Sequence, residues 1–166
     1  SRLVRGLVYP VPDPRFPFLG VHFTKKIDGS VEAGPNAVLA FAREGYAKSD
    51  ISAKYVLKLV SFPGFWAMAA RYWKMGLAEM WRSYNKRAFV KALQVLVPEV
   101  RVHDVSPGGV GIRAQAMDSK GNLLDDFRFL ETPHAIHVLN APSPAATASL
   151  AIGDYIAQTA LSSLGI

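Results

Sequence analysis

The chain has 166 residues, half of them hydrophobic, and its 19 basic and 13 acidic residues give a formal charge of +6. That composition excludes intrinsic disorder and suffices for a domain with a core; the lack of cysteine removes disulfides and thiolate metal ligands, which suits a reducing compartment. The longest nearly uncharged stretch, residues 135–153, contains two prolines, an asparagine and several hydroxyls, so it reads as strand, turn and helix rather than a membrane span, and the opening SRLVRGLVYPVPDP lacks the apolar run of a signal peptide.

In chain order, the first 41 residues read as extended segments separated by turns. GLVYPVPD (6–13) is a strand ending in prolines, FLGVHFTKK (18–26) is a second strand, and IDGSVEAG (27–34) carries Asp28-Gly29, a tight hairpin signal. Alternation along LGVHFT puts Val21 and Phe23 on a core face and His22 and Thr24 on a polar face.

From Ser49 the period becomes helical. Ser49 or Asp50 caps a helix that runs to Val60, Phe62-Pro63-Gly64 breaks it, and residues 65–84 form a second helix. Within that helix Trp66, Ala69, Trp73, Gly76 and Met80 recur at three- and four-residue spacing and predict a core-facing stripe. A third helix over 88–97 turns Leu93 and Leu96 inward and stops at Pro98. The many basic residues over 54–91 predict a solvated helical face, and nucleic acid is not expected as a partner. The positive balance also suits a small acidic substrate.

Beyond Val100 the chain returns to strands. GVGIRAQAM (109–117), LLDDFRFL (123–130) after the Ser119-Lys120-Gly121-Asn122 turn, and AIHVLN (135–140) predict an antiparallel three-stranded meander. The last strand leads through Asn140-Ala141-Pro142 into a closing helix, with Ser143 as N-cap and Pro144 at the first helical position. That helix is apolar nearly all round at its start, so it expects protein on several sides. With the abrupt opening strand, it suggests a piece of a longer chain whose orphan apolar surfaces favour self-association. The element order argues for an α+β layer structure.

Three features could carry chemistry. The start of the closing helix, SPAAT (143–147), offers free N–H groups and small side chains to a phosphate, carboxylate or heteroaromatic carbonyl, or is an ordinary capped helix. Arg113 shares a strand face with Gln115, opposite Val110, Ile112, Ala114 and Ala116, where it either clamps a carboxylate or pairs with Asp125 or Asp126. His22 is either a base near neutral pH or a satisfied polar residue. His103, His134 and His137 have no metal-ligand spacing and read as structural, and no dinucleotide fingerprint, P-loop, HExxH or GxSxG is present.

Three blocks in order, residues 9–46 (YPVPDP…REGY), GVGIRAQAMDSKGNLLDDF (109–127) and HVLNAPSPAATASLAIGDYIA (137–157), resemble the C-terminal part of L-2-hydroxyglutarate oxidases and dehydrogenases. These belong to the FAD-dependent D-amino-acid-oxidase and glycine-oxidase superfamily. The likeness runs from about residue 6 to 157 and is weakest over 49–98. It implies an antiparallel or mixed sheet with helices on one side, residues 1–134 forming most of a substrate domain and residues 135–166 the last strand and helix of a flavin domain. It further implies a cytoplasmic parent enzyme, peripheral to the inner face of a membrane or to an electron acceptor, that passes a hydride from a 2-hydroxy dicarboxylate to FAD. Arg113 then matches an arginine that binds the substrate carboxylate, His22 would lie on the sheet over the flavin and is read as the base, Gln115 is read as a further substrate contact, and Asn140, Ala141, Pro142, Ser143, Ala145, Ala146 and Thr147 would meet the flavin. The part carrying the adenine and pyrophosphate fingerprint is missing, so the chain alone is not expected to retain FAD or activity. The competing expectations are an amino-acid oxidase of the same superfamily and a non-enzymatic binding or assembly module.

Overall fold

The computed structural model describes residues 3–11, 20–113, 115–141 and 145–164. Its first unit is a three-stranded antiparallel sheet of β1 (Leu7–Val8), β2 (His22–Lys25) and β3 (Val31–Gly34), with β2 in the centre. The β2–β3 connection is the hairpin that Asp28-Gly29 predicts. The Gly29 N–H donates to the Lys26 carbonyl, the Lys26 N–H donates to the Ser30 carbonyl, and Gly29 takes φ 83°, which a residue with a Cβ resists. The Ser30 hydroxyl, then its backbone N–H, donates to the Asp28 carboxylate and holds it below the usual carboxylate range.

The expected alternation is present in β2. Val21 and Phe23 are buried, whereas His22 and Thr24 are only half-buried. The buried face meets Val4, Val90, Leu93 and Val100 in one apolar cluster, with Leu93 fully inaccessible. The core therefore joins the N-terminal sheet to a helix more than sixty residues away in sequence.

Helix α1 (Ala53–Val60) starts later than the sequence predicts. Asp50 instead accepts the Ala47 N–H in a local turn, Ile51 bridges Phe41, and Ser52 caps the helix through the Tyr55 N–H. Helix α2 (Pro63–Tyr84) begins at the expected break, because Pro63 lacks the N–H that a first-turn residue leaves unused and Phe62 is its N-cap. Helix α3 (Lys86–Leu93) is shorter than expected and capped by Asn85, whose side chain accepts the Ala88 N–H; tight turns carry the chain from Leu93 to Pro98.

The aromatic stripe of α2 corrects the expectation of a core. Trp66 is 59% and Trp73 55% exposed, and the buried positions of this helix are Gly64 and Glu79. The cause is the partner on its inner side: near its N-terminus α2 meets backbone, which leaves room only for glycine. A Cβ at Gly64 would strike the Asp118 carbonyl oxygen, and one at Gly121 would come within 2.5 Å of the Met68 amide nitrogen.

The predicted meander is also corrected. It forms two separate hairpins, β4 (Ala116–Met117) with β5 (Leu123–Leu124), and β6 (Arg128–Thr132) with β7 (Ala135–Asn140). LLDDFRFL is split because Asp126 takes the Phe127 N–H on its own carboxylate, competing with a ladder there. Residues 108–113 make no strand. Every named strand pairs antiparallel, so the sheets are antiparallel rather than mixed. The Gly121 turn repeats the geometry of the first hairpin, with φ 79°, and Asp118 accepts from both the Asn122 side chain and backbone.

Helix α4 (Ser149–Leu164) packs on β6 through Phe129 and Tyr155, whose ring centroids are 5.3 Å apart. It begins later than predicted, since residues 145–148 form a turn and the Ile152 N–H donates to Ala148. The expected cap Ser143 and first-turn Pro144 lie outside the described residues. Among the described residues the α+β class holds, as small antiparallel sheets with four helices. Among the described residues no helix is long and apolar enough to cross a membrane.

Candidate active site

The polar face of β2 gives His22 a defined setting. Pairing of Leu7 with Thr24 and Val8 with Phe23 brings the next residue, Tyr9, alongside His22. Their rings stack with centroids 4.2 Å apart and planes 23° apart, and the Tyr9 hydroxyl lies 3.4 Å from Thr24 Oγ1. His22 Nδ1 is 3.1 Å from the Gly20 carbonyl oxygen. A carbonyl only accepts, so Nδ1 carries the proton and the neutral ring keeps its lone pair on Nε2. The ring is thus held on one face and at one nitrogen, and Nε2 is the nitrogen left to meet a partner. Tyr9 carries no sequence motif; only the strand register reveals it.

Gln115 and Asn140, read as contacts to substrate and flavin, meet at one backbone atom. Gln115 Nε2 donates to the Leu124 carbonyl at 3.2 Å and Asn140 Nδ2 to the same oxygen at 3.4 Å. Each amide spends its second hydrogen on another carbonyl, that of Ala116 for Gln115 and that of Asp126 for Asn140. Asn140 is buried, and the pair fastens the end of β7 to the β4–β5 hairpin. In this arrangement both side chains have only their oxygens left, so they can receive a hydroxyl or N–H donor but not a carboxylate.

Arg113 corrects another expectation. It is exposed and lies in irregular chain, so no strand sets it on one face with Gln115; Ala114, next to it, lies outside the described residues. Of the expected flavin segment, Ala141, Ala146 and Thr147 are exposed and Ala145 is half-buried, while Pro142 and Ser143 lie outside the described residues. The first turn of α4 holds no acidic residue, and the turn before it is made of alanines and one threonine. This uncharged, small-residue approach fits a flat, electron-rich group at a helix start.

A groove of about 520 Å³ opens between β6 and α4, lined by Glu131, Tyr155, Gln158, Thr159, Ser162 and Ser163. Its one charged side chain is an acid, the wrong sign for a dicarboxylate. Among the described residues no three His, Asp or Glu side chains cluster as a metal site. Asp118, at the β4–β5 turn, is held below the usual carboxylate range chiefly by the Asn122 side chain, then by backbone N–H groups. It shapes the hairpin that carries Gln115.

No protein-family model matches the chain. Among curated proteins it is 57% identical over 159 residues to an L-2-hydroxyglutarate dehydrogenase of Indibacter alkaliphilus, covering 96% of this chain and 40% of that protein. A mitochondrial L-2-hydroxyglutarate dehydrogenase of Nematostella vectensis is 51% identical, with 95% and 36% covered. The L-2-hydroxyglutarate dehydrogenase of Escherichia coli strain K12 is 46% identical, with 98% and 39% covered. The chain spans about two fifths of the length of these relatives. Over nearly its whole length it is thus homologous to the L-2-hydroxyglutarate dehydrogenases and corresponds to a C-terminal part of such an enzyme.

Proposed function

We propose that the protein to which this chain belongs oxidises L-2-hydroxyglutarate to the 2-oxo acid. The observation that carries this reading is identity of 46% or more over at least 94% of the chain to eight proteins all named L-2-hydroxyglutarate dehydrogenase. Residues 1–134 are read as substrate domain and 135–166 as the closing strand and helix of a flavin domain. FAD, when bound to the whole protein, supplies the two-electron acceptor. The alanine-rich turn and α4 start, with Asn140 Oδ1, would face it.

The chain's own residues then divide the remaining work. His22 Nε2 takes the substrate hydroxyl proton as the carbon-bound hydrogen leaves, and the Gly20 carbonyl keeps the imidazole in the tautomer that accepts it. Arg113 supplies a guanidinium for a substrate carboxylate. Gln115 Oε1, its amide hydrogens already engaged, accepts rather than donates. We place this enzyme in the cytoplasm, against the inner face of the membrane.

The test is anaerobic mixing of the purified full-length protein with L-2-hydroxyglutarate while the visible absorbance of the flavin is followed. Rapid bleaching by the L but not the D isomer is expected. A bound flavin that stays oxidised would reject the substrate, and a preparation without flavin would reject the cofactor.

A further inference from the structure

The chain between β5 and β6 holds a joint that neither hairpin explains. β5 ends at Leu124 and β6 begins at Arg128; between them Asp126 takes the Phe127 N–H on its own carboxylate, and the chain leaves the ladder. Side-chain amides reach the backbone there instead. Asn140 Nδ2 donates to the Asp126 carbonyl at 3.2 Å and to the Leu124 carbonyl at 3.4 Å. Gln115 Nε2 donates to the same Leu124 carbonyl at 3.2 Å and to that of Ala116 at 3.3 Å. A carbonyl oxygen has two lone pairs, so Leu124 accommodates both amides.

The backbone prepares Asn140 for this role. Arg128 pairs with Asn140 but Phe129 with Val138, so the register slips at the end of β7 and Leu139 is the extra residue. Such a bulge re-aims the side chain at a strand end. Val138 and Leu139 are exposed, whereas Asn140 is only 9% exposed. A buried primary amide is costly unless its polar atoms are engaged, and both hydrogens of Asn140 are.

The joint also lies between two parts of the site. Gln115 follows Arg113 by two residues, and Asn140 immediately precedes Ala141, the first of the small residues read as facing the flavin. Asn140 belongs to the part read as flavin domain, and Gln115, Leu124 and Asp126 to the part read as substrate domain.

We propose that Gln115 and Asn140 form one positioning clamp, pinned on the Leu124 carbonyl, which sets the Arg113 segment against the turn that leads into α4. The proposal rests on the reading above of Arg113 as the carboxylate arm and of that turn as flavin-facing. The clamp works through the amide N–H groups, which are spent on backbone and touch neither ligand. Reacting groups lose rate steeply when displaced by about an ångström, and a shared acceptor fixes both arms at once.

The test uses Gln115→Met, which keeps the length of the side chain without its amide, and Asn140→Ser, which keeps a single donor, each in the full-length protein. Two quantities are read from each variant: the dissociation constant of FAD, from flavin released on dilution of the holoenzyme, and the KM for L-2-hydroxyglutarate at saturating FAD. Cross effects are expected. Gln115→Met, on the substrate side, should weaken FAD binding by roughly three- to tenfold, the worth of about one net hydrogen bond. Asn140→Ser, on the flavin side, should raise KM by a similar factor. The double variant should lose less than the product of the two single losses, because both arms meet at one carbonyl. Effects confined to each residue's own side overturn the clamp. Wild-type constants for both ligands in variants that merely melt earlier overturn it too, since the amides then hold only the fold. Each variant carries its own cross effect, so if circular dichroism shows one to be unfolded the other decides. A wild-type flavin that L-2-hydroxyglutarate leaves oxidised overturns the functional reading, and the clamp with it; reduction of the wild type without cross effects in the variants overturns the clamp alone.

Discussion

At the scale of single residues, the arrangement around His22 makes a sharp kinetic expectation. If Nε2 is the proton acceptor, His22→Ala in the full-length protein lowers the rate of flavin reduction by ~10² or more, since general-base catalysis contributes factors of that order. Stopped-flow reduction at the wild-type rate would remove His22 from the chemistry. Asp118 makes an equally specific expectation about pH. Its folded pKa is lowered, so its contribution to stability is present above the unfolded carboxylate value of about 4 and is lost as pH falls through the folded value. Asp118→Asn should therefore lower the urea midpoint of the full-length protein at neutral pH, and the gap to wild type should close in strong acid. A gap that stays constant with pH would show that the carboxylate charge plays no part in the turn.

At the scale of elements, the first turns of α2 and the β4–β5 turn form one joint. Gly64 reads in sequence as a helix breaker, yet it sits inside the helix because the Asp118 carbonyl occupies the place of its Cβ. Arg71 Nη1 adds a 3.1 Å hydrogen bond to Asn122 Oδ1 across the same joint. Gly121 is constrained twice, by φ 79° and by the Met68 amide nitrogen. Gly121→Ala is expected to cost the full-length protein at least ~1–3 kcal/mol, the usual range for a strained backbone position. A variant with wild-type denaturant stability would mean that the hairpin stands off from α2. The turn residues themselves were legible from Asp28-Gly29 and from Ser119-Lys120-Gly121-Asn122, because left-handed glycine has a local cause. The helix starts were less legible: Ser49, Asp50 and Ser52 are all competent caps, and only the Phe41–Ile51 bridge selects Ser52.

At the scale of the whole molecule, the core ties β2 to α3 across a long separation in sequence, with Leu93 and Val90 against Phe23. Leu93→Ala is expected to destabilise by ~2–5 kcal/mol, the range for emptying a fully buried leucine site. Hydrogen exchange should show amides of β2 and α3 losing protection together; protection lost from α3 alone would refute a shared core. By itself the sequence determined the α+β class, the polar and apolar faces of β2, both glycine turns, the inward Leu93 and the resemblance to one enzyme family. Each rests on local periodicity, on a backbone conformation that one residue type favours, or on order along the chain. Tertiary structure alone decided that the tryptophans of α2 face outward, that the predicted meander splits into two hairpins, and that Gln115 and Asn140 share the Leu124 carbonyl. A helical stripe looks the same in sequence whether it faces a core or a surface. Which side is buried depends on what packs against it, and for α2 that partner is the backbone of a turn about fifty residues further on.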